Sequence, residues 1–200
     1  MRYLLSVIYL LLAVVSASAA EPNSIIGDVI DKLDRMSPYR VQFEVEYGKN
    51  RIGGLYEVAD ENYYISIDEQ ELFGDSKVKY EVFNSRKEVL IDAVSPDYDG
   101  NLLSNPAVAF SSIRDHYTSK QLSDDGVAAT FELTPSAPSV NPIETIELTI
   151  NSSTILPERI VYNLGGEKVV VKVVSIEKLT SSITSYNIGN YLDYEVIDFR

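Results

Sequence analysis

The sequence predicts a mainly β, α+β domain: a curled antiparallel sheet of roughly ten strands, forming an incomplete β-barrel lidded by about three helices. Three observations predict it. Apolar and polar residues alternate in short runs from residue 41 to the end of the chain, with turn residues between the runs. One segment of helical period precedes them. Two proline-started segments, at Ser95-Pro96 and Asn105-Pro106, interrupt the strands in mid-chain. A long meander escapes its edge problem by curling or closing. Its alternating faces then leave one concave apolar surface for the helices to cover, either packed solid or enclosing a cavity.

The first twenty residues read as an address. Arg2 precedes an apolar run, Tyr3 to Val15, which ends in Ser16-Ala17-Ser18-Ala19-Ala20. That is the n-region, h-region and small-residue site of a secretory signal, expected to be cleaved near Ala19 or Ala20. The run is shorter than the 20 or so residues of a membrane span. Residues 21–200 are then read as one domain. An exported chain with zero cysteines suits a bacterial periplasm, with stability drawn from packing alone.

The elements follow in order. Ile26, Val29, Ile30, Leu33 and Met36 lie at helical spacing, Ser24 is a candidate N-cap, and Ser37-Pro38 stops the helix. Val41, Phe43, Val45 and Tyr47 alternate with Gln42, Glu44 and Glu46 as the clearest strand. Gly48-Lys49-Asn50 turns the chain into a return strand over 53–58, and Tyr63, Ile65 and Ile67 alternate next. Strands at 78–82 and 88–92 are joined by the turn Asn84 to Lys87. Two short apolar helices are expected at about 96–103 and 106–114. Strands resume at 127–133, 143–150, 156–162 and 168–178, with Gly165-Gly166 as a hairpin turn, and 194–199 closes the chain.

Composition excludes more chemistry than it suggests. The 200 residues carry 17 Lys+Arg against 30 Asp+Glu, a formal net charge of −13, so nucleic acid and anionic membrane surfaces are disfavoured. Zero Cys removes disulfides and thiolate chemistry. The single His116, expected just past a helix C-terminus, has a structural reading, and nothing beside it points to a nucleophile. The acidic pairs Asp97/Asp99 and Asp124/Asp125 lack the spacing of a calcium loop and read as a helix start and a turn. A hydrolase built on those pairs is the least supported reading. The 14 tyrosines fit half-buried strands, a sugar-binding platform being the rival explanation. No catalytic residue, metal site or cofactor is expected.

Several stretches together resemble the LolA-type periplasmic lipoprotein carriers, particularly their Bacteroidota form. They are Asp31-Lys32-Leu33 running into Tyr39-Arg40-Val41-Gln42-Phe43; Gly53-Gly54-Leu55-Tyr56-Glu57-Val58 with Tyr63-Tyr64-Ile65; Asn84 and Glu88 to Ile91 with Pro96, Asn105-Pro106-Ala107 and Phe110; and the tail Tyr194 to Arg200. The resemblance implies an incomplete barrel closed by helices, whose apolar cavity shields lipoprotein acyl chains in transit to the outer membrane. It implies no enzyme activity. It implies as partners the acyl chains of lipoproteins, an inner-membrane release complex and an outer-membrane acceptor, with the carrier a monomer. The strand arginine of classical carriers has no counterpart in Val58 to Tyr63.

Residues expected to line the cavity and its lid are Val41, Phe43, Val45, Leu55, Tyr63, Ile65, Val89, Ile91, Leu102, Leu103, Val108 and Phe110. Each is equally a candidate for plain core packing. The alternative function is a non-enzymatic envelope sensor or protein-interaction module on the same fold, with no lipid transfer.

Overall fold

A computed structural model describes residues 22–75, 77–94, 113–114, 116–136 and 143–200. Residues 1–20, expected from sequence to be a secretory signal, therefore lie outside the described residues, as do Asp97, Asp99, Leu102, Leu103, Val108 and Phe110. The chain opens with helix α1, Pro22–Met36. Six strands follow: β1 Tyr39–Tyr47, β2 Asn50–Ala59, β3 Asn62–Ile67, β4 Gln70–Gly74, β5 Val78–Phe83 and β6 Glu88–Ala93. Then come β7 Tyr117–Asp124, β8 Ala128–Pro135, β9 Ile143–Asn151, β10 Leu156–Leu164, β11 Glu167–Lys178 and β12 Glu195–Asp198. All twelve form one open curled sheet, in the order β12-β6-β5-β4-β3-β2-β1-β11-β10-β9-β8-β7. Every pairing is antiparallel except β12 on β6.

The sheet holds two strands beyond the ten expected, β4 and β7. Among the described residues α1 is the one extended α-helix. Ile113, Arg114 and His116 are also helical, and Ile188–Asn190 is a 3-10 turn. About three helices are not seen there, because the segments expected at 96–103 and 106–114 lie outside the described residues except for Ile113 and Arg114.

Helix α1 shows why the sheet curls. Its buried stripe of Ile26, Val29, Ile30 and Leu33 joins Tyr39 of β1 and Val58 of β2 in one core with Tyr117, Phe131, Leu133, Ile146, Leu148 and Ile150. In a flat sheet β2 and β7 would stand six strand spacings apart, about 29 Å. A helix about 10 Å across can share one core with both only if the sheet wraps around it. Lys32 donates to the Thr154 carbonyl, and Arg114 pairs with Asp31 at 2.7 Å, fixing the helix at both sides. A shift in the β1–β11 register between Gln42 and Phe43 leaves Val174 as the extra residue, 60% exposed, where the sheet bends. Gly165 and Gly166 both take positive φ, 57° and 92°, which closes the tight β10–β11 turn.

The register corrects the expectation of one apolar surface. Residues paired across strands share a face, so Tyr39, Val41, Phe43 and Val45 of β1 lie on the same face as Val58, Tyr56, Gly54 and Ile52 of β2 and as Tyr63 and Ile65 of β3. This inner face carries α1. Beyond β3 it turns polar, with Glu81 and Lys79 of β5 and Asp92 of β6. The outer face does the reverse. It is polar over β1 with Arg40, Glu44 and Glu46, then apolar over Tyr64, Phe73, Val82, Val89 and Ile91. The apolar side of the sheet therefore changes face between β2 and β4. Both sides are buried at β3, where the neighbours Tyr63 and Tyr64 are 1% and 8% exposed.

Residues 179–194 form the cover of the outer face. This strap leaves β11 with Leu179 donating to the Pro38 carbonyl at 2.7 Å and crosses to β6. There Glu195 donates to the Lys87 carbonyl at 2.8 Å and β12 begins. Along it Tyr186, Tyr191 and Tyr194 pack on Phe73, Tyr80 and Tyr64.

Two glycines mark close approaches of aromatic rings across the inner face. A Cβ on Gly54 would lie 2.4 Å from Phe43 Cζ, and one on Gly74 would lie 2.3 Å from Tyr63 Cζ. Phe43 is half-buried and its ring can tilt away, whereas Tyr63 is held at 1% exposure among packed strands. Gly74→Ala is expected to cost about 2 kcal/mol in urea unfolding, and Gly54→Ala less than half of that.

Candidate functional site

The inner face carries more apolar surface than α1 and its core consume. Phe43, Val45, Ile65 and Ile67 are half-buried, and Ile52 is 38% exposed. Register continues this floor onto β11, where Val173 lies opposite Phe43 and Val171 opposite Val45, both half-buried. None of these residues belongs to either core cluster. They form a contiguous apolar floor across β11, β1, β2 and β3, beside the α1 core and open toward the far ends of the strands.

The residues expected from sequence sort onto it unevenly. Phe43, Val45 and Ile65 lie on the floor. Val41 borders it and packs against the α1 core. Tyr63 is on the same face at the β4 side, its ring over Gly74. Leu55, Val89 and Ile91 are on the opposite face beneath the strap, so the structure does not bring them to the floor. Leu102, Leu103, Val108 and Phe110 lie outside the described residues. Val171 and Val173 were missed because the run Val169-Val170-Val171-Lys172-Val173-Val174 shows no clean alternation. Only pairing with β1 divides it between faces.

A second constellation, unread in the sequence, locks the strap. Glu57 of β2 is 1% exposed. Its Oε1 accepts from Arg40 Nε at 2.9 Å and from a terminal guanidinium nitrogen at 2.6 Å, and its Oε2 accepts the Thr184 backbone N–H at 2.7 Å. Burial pushes the Glu57 carboxyl upward, but the Thr184 amide and the Arg40 guanidinium more than offset this, holding it below its usual range. Further along, Glu71 accepts from Tyr64 Oη at 2.8 Å and Tyr191 Oη at 3.0 Å. Burial, then the hydrogen bond to that carboxylate, pushes the Tyr64 phenol up to about 12. Both carboxylates, the buried Glu57 and the half-buried Glu71, fasten structure, each satisfied by donors.

The acidic turn behaves as its sequence suggests. Asp124 accepts from Gly126 N–H, and Asp125 from the Val127 and Ala128 N–H groups at 2.9 and 2.8 Å. His116 is exposed, with Ser136 donating to its carbonyl. Among the described residues no group of three His, Cys, Asp or Glu side chains could hold a metal ion, and no helix is long and apolar enough to cross a membrane.

No family model matches the sequence, and neither does any curated protein. Solved structures do match. An uncharacterized conserved protein from Thermus thermophilus superposes with a TM-score of 0.54 at 9% identity, covering 86% of this chain and 98% of that one. The two proteins share a fold. A lipoprotein-sorting domain and a LolA superfamily protein are also among the matches. A putative outer membrane lipoprotein-sorting protein domain from Vibrio parahaemolyticus aligns at 7% identity and a TM-score of 0.46, over 81% of this chain and 94% of that one. A LolA superfamily protein from Nitrosomonas europaea aligns at 13% identity and 0.41, over 82% and 96%. At these scores the two accompany the fold match without adding to it.

Proposed function

We propose that the protein is a periplasmic carrier that holds the acyl chains of lipoproteins against the inner-face floor on their way to the outer membrane. The observation that carries this reading is the set of half-buried apolar residues around Phe43, Val45, Ile65, Val171 and Val173, which α1 and its core leave over. The resemblance of the sequence to LolA-type carriers supports the same reading. An acyl chain in water costs about 0.8 kcal/mol per CH₂, so a periplasmic crossing requires an apolar container and no bond chemistry. The residues proposed to touch the chain are Val41, Phe43, Val45, Tyr63 and Ile65, with Val171 and Val173 added from the register. Leu102, Leu103, Val108 and Phe110 remain proposed for the lid. Cargo would be received from an inner-membrane release complex and passed to an outer-membrane acceptor.

The test is native mass spectrometry of mature protein purified from a periplasm, followed by lipid extraction. The expected result is discrete added mass that releases acylated peptide. Phe43→Asp is expected to lose most of it while keeping the melting temperature near wild type, because Phe43 is half-buried and outside both cores. A wild-type chain that carries no lipid and takes up no added lipopeptide would overturn the carrier reading and favour the interaction module.

A further inference from the structure

Gly54 stands in the middle of the apolar floor. One cross-strand row runs from Val173 of β11 through Phe43 of β1 and Gly54 of β2 to Ile67 of β3. A glycine inside a strand weakens it relative to alanine, so its presence there calls for a reason. The backbone supplies none. The glycines with positive φ are Gly48, Gly126, Gly165 and Gly166, and the β1–β2 register runs past Gly54 without a shift.

The reason is the space above it. A Cβ on Gly54 would lie 2.4 Å from Phe43 Cζ, 2.5 Å from Cε2 and 3.1 Å from Cε1. The Phe43 ring therefore leans across β2 and rests its far edge on the Gly54 backbone, where it would otherwise stand up from the sheet. Core packing does not press it down, because Phe43 is half-buried and outside both cores. The adjacent Gly53, opposite Glu44 on the outer face, has nothing within 4 Å of its own Cβ position. The missing side chain is thus used on the floor side.

The result is a level floor. From β11 to β3 it spans three strand spacings, about 14 Å. Val171 and Val173 lie to one side of the leaning ring, and Ile65 and Ile67 to the other. A Cβ at position 54 would lift the ring into a partition between them.

We propose that Gly54 sets the length of acyl chain the floor accepts, by letting the Phe43 ring lie down so that a chain crosses without interruption from β11 to β3. Gly54 is a positioning residue, acting through the ring. A short chain fits on the β11 side and is indifferent to the tilt of the ring, whereas a long one must pass over β2. The inference rests on the carrier reading.

The experiment is native mass spectrometry of the mature protein with an equimolar mixture of synthetic lipopeptides that share one peptide and carry octanoyl, lauroyl or palmitoyl chains. Wild type is expected to favour palmitoyl. Gly54→Ala is expected to cut the palmitoyl-to-octanoyl ratio by about tenfold, equivalent to nearly two methylene groups withdrawn from contact, with octanoyl binding kept within about twofold. That retained octanoyl binding also reports a folded variant. In a Phe43→Ala background, where no ring can rise, adding Gly54→Ala should leave the ratio unchanged. A glycine that served strand stability alone would affect every chain length alike, with or without the ring. Equal loss at every length, an unchanged ratio, a wild-type preference for octanoyl, or the same shift in the Phe43→Ala background would each overturn the proposal and leave the carrier reading in place. A wild-type protein that binds none of the three lipopeptides would overturn both.

Discussion

Glu57→Ala is expected to lower the stability of the fold by about 3 kcal/mol and to free the strap. The carboxylate is 1% exposed and joins three parts of the chain: its own strand β2, Arg40 on β1, and the Thr184 amide on the strap. Removing it leaves the Thr184 backbone N–H without its acceptor and a guanidinium whose remaining ion pair is Glu177 at 3.8 Å. The pH dependence identifies the cause. Because Glu57 titrates lower in the folded than in the unfolded chain, its contribution is complete above about pH 4.3 and is lost as pH falls through the depressed folded value. The gap between wild type and variant in urea unfolding should therefore be constant near neutrality and narrow in acid. A gap that stays constant down through the acid range would assign the loss to packing instead of charge. Limited proteolysis should cut the variant first within 179–187.

Tyr191→Ala should cost about 3 to 5 kcal/mol, the usual loss for truncating a buried aromatic. The ring is 7% exposed, parallel to Tyr186, edge-on to Phe73 at 6.4 Å and to Tyr194 at 5.3 Å. It is the strap residue most deeply set into the outer face, and β12 begins four residues later. Hydrogen exchange should accordingly quicken on β12 and β6 together while β8 and β9 keep their protection. Tyr191→Phe keeps the ring and loses only the 3.0 Å bond to Glu71, for about 1 kcal/mol. Equal losses from Phe and Ala would move the weight from packing to the hydrogen bond.

Most strands were legible because one of their faces is wet. β1, β8 and β9 alternate cleanly since the outer face over them carries Glu44, Glu132 and Thr149, while the inner face carries Phe43, Phe131 and Leu148. β4 escaped notice for the opposite reason. In Glu71-Leu72-Phe73, Leu72 belongs to the inner face and Phe73 to the outer core, so adjacent apolar residues hide a strand with period two. β7 is an edge whose described face residues are mostly polar, and among them Tyr117 alone is buried. The candidate site divides along the same line. Phe43 and Ile65 were found by alternation, but Leu55, Val89 and Ile91 alternate equally well toward the other face, and alternation does not say which face is which. Glu57 sits between Tyr56 and Val58 as any solvent-facing strand residue would. Its burial comes from Thr184, 127 residues further along, and no local pattern encodes a partner at that distance.

The seam between β1 and β11 governs how the chain can assemble. Apart from that seam and the β12 edge, every neighbouring pair in the sheet is consecutive, so β1 to β6 and β7 to β11 are two meanders, each able to form hairpin by hairpin within about 10 μs per hairpin. Joining them brings Glu46 to Lys172 across 126 residues, a long-range closure that must come after both. Until it does, Val169 to Val174 present a valine-rich strand with Lys172 as the one charged residue, and the edge of β1 stands equally bare. Such an edge accepts a strand from a second molecule as readily as from its own chain. Association between copies is thus the competitor that this seam offers to folding.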